Sequence, residues 1–95
     1  MKVHETPPVE IALRTLGAED RQKVSAWLDH LRNWENDAWL RRHANQVNSA
    51  ENVYVLKTNG DFRIFFRPEQ DHIVVLDIAT KATIVSSGHV SEPNR

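Results

Sequence analysis

At 95 residues the chain is long enough for one hydrophobic core and too short for two. Its 40% hydrophobic and 26% charged residues describe a globular domain rather than a disordered one. A net charge of −1 gives no overall pull toward phosphate, so any nucleic-acid contact must come from a local patch.

The chain contains no cysteine, which excludes disulfides and thiolate metal sites. No apolar run approaches the roughly 20 residues of a spanning helix, and no charged-then-apolar leader opens the sequence. A cytoplasmic setting is the expectation. Residues 1–8 hold little that can pack, and Pro7-Pro8 should keep them irregular, so a flexible N-terminal segment is expected. Val9, Ile11 and Leu13 then alternate with Glu10, Ala12 and Arg14, the pattern of a half-buried strand ending at Gly17.

From Asp20, the expected N-cap, the period becomes helical. Val24, Trp27, Leu28, Leu31 and Trp34 follow i, i+3, i+4, i+7 spacing. Asn33 and Asn36-Asp37 favour caps, which predicts a break over residues 34–37 and a second helix over residues 37–46. One uninterrupted helix is the competing reading. Residues 47–52 are polar and small, hence a loop.

The strongest strand signals lie in residues 53–83. Two apolar runs over residues 53–66 are split by Asn59-Gly60-Asp61, where Asn-Gly accepts the positive φ of a type I′ hairpin turn. A second turn around Pro68 leads to a third run over residues 73–79, completing an antiparallel meander. Alternation places Phe62, Ile64 and Phe66 on one face, with Arg63, Phe65 and Arg67 on the other. It likewise opposes Tyr54 and Leu56 to Val55 and Lys57, and Val74, Leu76 and Ile78 to Ile73, Val75, Asp77 and Ala79. One face can then be continuously apolar, while the second carries Lys57, Arg63, Arg67 and Asp77 among hydrophobic neighbours. Residues 86–95 read as a flexible tail, leaving a single domain over residues 9–85. The predicted fold is α+β, in the order β-α-α-β-β-β, with a helical hairpin packed on one face of a small, mostly antiparallel sheet. The first strand should lie beside the third strand of the meander or at the edge of the sheet.

The ordered combination Tyr54-x-Leu56-Lys57, Gly60-Asp61-Phe62-Arg63-Ile64-Phe65-Phe66, Ile73-Val74-Val75-Leu76-Asp77-Ile78 and the basic Lys81 resembles the RelE/ParE toxin superfamily of type II toxin–antitoxin modules. The likeness covers residues 9–83, and the Leu56-to-Arg63 spacing resembles the HigB-like branch as much as the RelE branch. It implies a small toxin neutralised by a cognate antitoxin. Many relatives enter the ribosomal A site and cleave mRNA, inhibiting translation and arresting growth, whereas the ParE branch poisons DNA gyrase. Matched by position, the resemblance assigns the catalytic cations to Lys57, Arg63 and Lys81. Relatives commonly place a tyrosine or histidine in the site near the C-terminus. Here no tyrosine follows Tyr54, which leaves His89 as the candidate general acid or base. Arg67, Arg41 and Arg42 are candidate RNA contacts. No cofactor is implied, and the five histidines show no metal-ligand spacing.

Each of these residues has a plainer reading. Arg63 could pair with Asp77 across the sheet, Lys57 and Lys81 could be solvated lysines, and Arg67 a turn residue. Arg41, Arg42 and His43 suit the last turn of a helix. Trp27 and Trp34 belong to the apolar stripe, while Trp39 packs on the hairpin or stands exposed for a partner. Three functions therefore compete: a ribosome-associated endoribonuclease, a gyrase inhibitor, and a degenerate toxin that only binds its antitoxin.

Overall fold

A computed structural model describes residues 1–58 and 60–80. The elements run β1 (Lys2–Glu5), α1 (Pro7–Thr15), α2 (Ala18–His30) continued by a 3₁₀ turn (Leu31–Asn33), α3 (Ala38–His43), β2 (Ala44–Asn48), β3 (Val53–Lys57), β4 (Phe62–Pro68) and β5 (His72–Thr80). The five strands form one sheet in the order β1-β5-β4-β3-β2, antiparallel except for the parallel β1–β5 pair. This is the expected α+β architecture, with helices on one face of the sheet. No helix among the described residues is long and apolar enough to cross a membrane.

The first strand is not where the alternation placed it. Val9, Ile11 and Leu13 lie in α1, and the strand is the Lys2–Glu5 segment that was expected to be flexible. Val9, Ala12, Leu13 and Leu16 also satisfy the helical period, and Val9 is fully buried while Ile11 stands 56% exposed. Pro7 and Pro8 open the helix instead of disrupting the chain, since the first turn needs no N–H donor and their φ is already helical. Thr6 ties the junction to the sheet. Its N–H and its hydroxyl both donate to the Val75 carbonyl, at 3.3 and 2.8 Å.

In α2, Gly17 rather than Asp20 is the N-cap, and Val24, Leu28 and Leu31 supply the buried stripe. The break over residues 34–37 is present, with the Asp37 carboxylate accepting from the Trp39 and Leu40 N–H groups at 3.0 and 3.2 Å. The following helix stops at His43. Ala44, Asn45 and Gln46, expected to be helical, pair with β3 as the edge strand, and Val47 and Asn48 belong to that strand rather than to a loop. Asn52 takes a positive φ of 57° in the return to β3, a conformation asparagine tolerates.

The meander is as expected in its strands but differs at two points of register. Lys57 pairs with Arg63, and the Thr58 N–H donates to the Phe62 carbonyl at 3.1 Å, so three residues and not two connect β3 to β4. A two-residue Asn-Gly turn would have set Lys57 opposite Phe62. Leu76 is an extra residue, because Phe65 pairs with Asp77 while Phe66 pairs with Val75. This bulge resets the alternation of β5. Ile73 and Val75 point into the core before it, Ile78 after it, and Asp77 is left on the opposite face.

The core is one layer between helices and sheet. Val9, Val24, Leu28, Leu31, Trp34 and Leu40 meet Leu56, Phe62, Ile64, Phe66, Ile73, Val75 and Ile78. Trp34 anchors it, with its ring edge-on to Phe66 at 5.2 Å and to Tyr54 at 5.3 Å. Trp27 is only half-buried. It stacks at 5.7 Å on Trp39, which is 40% exposed and stacks in turn on His43 at 4.0 Å.

Candidate functional site: the cationic face of the sheet

The helices leave the second face of the sheet uncovered by any described residue. Across it run three rows set by register. Lys57, Arg63 and Ala79 form the first, Val55, Phe65 and Asp77 the second, and Arg67, Val74 and His4 the third. Rows on one strand stand about 7 Å apart and neighbouring strands about 5 Å apart.

Lys57 and Arg63 are direct cross-strand partners, so their Cβ atoms lie roughly 5 Å apart. Neither makes an ion pair with any described residue. The only hydrogen bond that Arg63's side chain makes with these residues is a long one, from Nη1–H to the Phe62 carbonyl at 3.4 Å. The plainer reading, an Arg63–Asp77 pair, is not what the sheet forms. Asp77 faces Phe65 one row away, and its carboxylate accepts from the Ile78 N–H at 2.8 Å. Two like charges directly opposite one another destabilise a sheet unless something else neutralises them. A bound anion is one group whose charge could neutralise such a pair.

Arg67 shares the face but not the spot. It lies four residues along β4 from Arg63, about 13 Å away, and its Nε–H donates to Glu69 at 2.6 Å. Arg41 and Arg42 are exposed on α3, within the layer that covers the other face, so the structure does not bring them to Lys57 and Arg63. Lys81 and His89 lie outside the described residues.

Three residues at the β1 end of this face, one of them in the third row, were not singled out as site residues by the sequence. His4 flanks Val74 on the side opposite Arg67, and Lys2 with His72 lies just beyond. Their place depends on β1, which carries no apolar alternation of its own strong enough to announce a strand. Beside them His72 hydrogen-bonds and adds its charge to Asp71, holding that carboxyl below its ordinary value.

A small α+β chain with its helices on one side of a mostly antiparallel five-stranded sheet, and cations on the other side among the described residues, has the fold of the RelE and ParE toxins. The toxin–antitoxin complex RelBE2 from Mycobacterium tuberculosis matches 83% of this chain and 95% of its own, with TM-score 0.67 and 14% identity. The isolated RelE toxin from E. coli matches over 94% of both chains at TM-score 0.65 and 14% identity. The chromosomal ParDE toxin–antitoxin system of P. aeruginosa matches 84% of this chain and 95% of its own, at TM-score 0.54 and 19% identity. At such identities the likeness is one of fold. No protein-family model and no curated protein matches the sequence.

Proposed function

We propose that the chain is the toxin of a type II toxin–antitoxin pair and acts as a ribosome-associated mRNA endoribonuclease, with a small cognate antitoxin as its partner. The observation that carries this reading is the juxtaposition of Lys57 and Arg63, without a described counter-ion, on the open face of a RelE-type sheet. In the proposed reaction the ribose 2′-oxygen attacks the adjacent phosphorus in line. The new 2′-O–P bond forms as the P–O5′ bond breaks, the 2′ proton leaves to a base and the 5′-oxygen gains one. Charge builds on the phosphoryl oxygens. The Arg63 guanidinium can fork two of them, and the Lys57 ammonium adds a second fixed positive charge; held on paired strands, neither needs to reorganise. Lys81 supplies the third cation in this reading and His89 the proton transfer.

Inducible expression with transcript-end mapping tests it. Wild-type protein should arrest growth and yield cleavage within translated mRNA, and Arg63→Ala, folded by circular dichroism, should do neither. Arrest undiminished in Arg63→Ala would overturn the assignment. The likeness to the ParDE system supports a second reading, inhibition of DNA gyrase. Purified protein that leaves gyrase supercoiling untouched would end that one.

A further inference from the structure

The second row of the open face has no task in the chemistry just proposed, yet it holds an aromatic ring. Phe65 lies between Arg63 and Arg67 on β4, on the side away from the helices, opposite Val55 and Asp77. Strand propensity accounts for an aromatic residue here, but packing does not account for its position. The rings of Trp34, Tyr54 and Phe66 bury one another on the core side, whereas Phe65 meets no other ring among the described residues and remains half-buried. Beside it Val55 is only 7% exposed although it stands outside the core cluster, so the open face has an apolar floor of its own.

We infer that Phe65 is a stacking platform for a nucleobase of single-stranded RNA whose phosphate is held by Arg63 and Lys57. This rests on the nuclease reading above and adds the residue that positions the strand. Charge complementarity selects the occupant. The face offers two cations without a counter-ion among the described residues at one end of an apolar ring, the combination that binds a phosphate and its base together. Arg63 and Phe65 are two residues apart on one strand, about 7 Å, which is comparable to the reach from a phosphate to its own base. Asp77, directly across from Phe65, repels phosphate from the ring and leaves that place to the uncharged base. Stacking is indifferent to base identity, so Phe65 fixes where the strand lies and not which sequence is chosen.

The test is fluorescence anisotropy of purified protein with a short RNA made uncleavable by 2′-O-methylation, intact or with a single abasic nucleotide scanned along it. Phe65→Leu should weaken binding of the intact RNA roughly tenfold. It should change little for the RNA whose abasic position removes the stacked base, and Phe65→Tyr should restore the wild-type affinity. Arg63→Ala should weaken intact and abasic RNA alike and lower the salt slope by about one. If Phe65→Leu weakens neither RNA, or weakens both equally, the platform does not exist while the phosphate site stands. If Arg63→Ala is also without effect, or wild-type protein binds no RNA, the phosphate site falls with the platform, while the nuclease reading is decided separately by the expression test above. Self-association that is lost in Phe65→Leu, with RNA affinity unchanged, would mean that a second copy covers the face and would overturn the inference.

Discussion

Neutralising Arg63 should leave the folded protein as stable as before, or more so. The side chain faces Lys57 across the β3–β4 pair and has no described counter-ion. Long stems let the two charged tips retreat to about 7 Å, where Coulomb repulsion in water-like surroundings is ~0.6 kcal/mol. Salt reduces that further, since the Debye length at physiological ionic strength is about 8 Å. The result sits within the range of about 0.2–1 kcal/mol for cross-strand pairs. Among the described residues, against it stands only the 3.4 Å hydrogen bond to the Phe62 carbonyl, too long to contribute much. Arg63→Met keeps the apolar stem and removes the charge. Its expected effect is a gain of up to ~0.6 kcal/mol, or a rise of up to about 4 °C in Tm for a domain of this size. Urea unfolding of wild type, Arg63→Met, Lys57→Met and the double variant isolates the repulsion as a coupling energy. A loss above about 1 kcal/mol in Arg63→Met, with unchanged m-value, would refute the reasoning. The guanidinium would then be holding the hairpin together instead of standing ready for a phosphate.

Other expectations follow from the packing. Trp34→Ala removes the ring that joins the break after the 3₁₀ turn to Tyr54 and Phe66 and should cost about 3–5 kcal/mol by denaturant titration. A cost under 1 kcal/mol would mean that the cluster is not the anchor. Asp37→Ala deletes both cap bonds of α3 and should cost about 1 kcal/mol, with faster amide exchange at Trp39 and Leu40. Whatever stability the His72 contact confers through Asp71 is present above the ordinary carboxylate value of 3.8 and fades as pH falls through the depressed one. Because the Asp71 side chain is 88% exposed, Asp71→Asn should not measurably move the acid-unfolding midpoint. A clear shift of that midpoint toward neutrality would show the contact to be structural.

The cationic face of the candidate site was legible in residues 53–80 because which side chains of a strand share a face is a local property. A strand's two faces are set by a period of two, and Arg63, Phe65 and Arg67 share a face wherever β4 lies. The core-side set Phe62, Ile64 and Phe66 follows from the same rule and is buried as expected. The break at Asp37 was also visible, since an aspartate that can cap a helix start marks itself in the sequence.

The N-terminal third was not legible, and the reason is physical. Residues 9–16 satisfy a strand period and a helix period at once, and Lys2–Glu5 has no pattern strong enough to stand alone. What makes that segment a strand is the free edge of β5, a partner some 70 residues distant, together with the Thr6 hydroxyl bonded to Val75. Ala44–Asn48 is similar, becoming a strand only because β3 offers it an edge. Local pattern was enough to say which side chains travel together on one face of β3 and of β4, but not of β5, whose alternation is reset at Leu76. How the strands slide past one another is settled by the assembled sheet. The three-residue β3–β4 connection brings Lys57 against Arg63, and the bulge at Leu76 sends Ile73 and Val75 into the core while Asp77 stays on the cationic face. Register is a sum of weak pair preferences over all the strands at once, so no single stretch of chain can fix it.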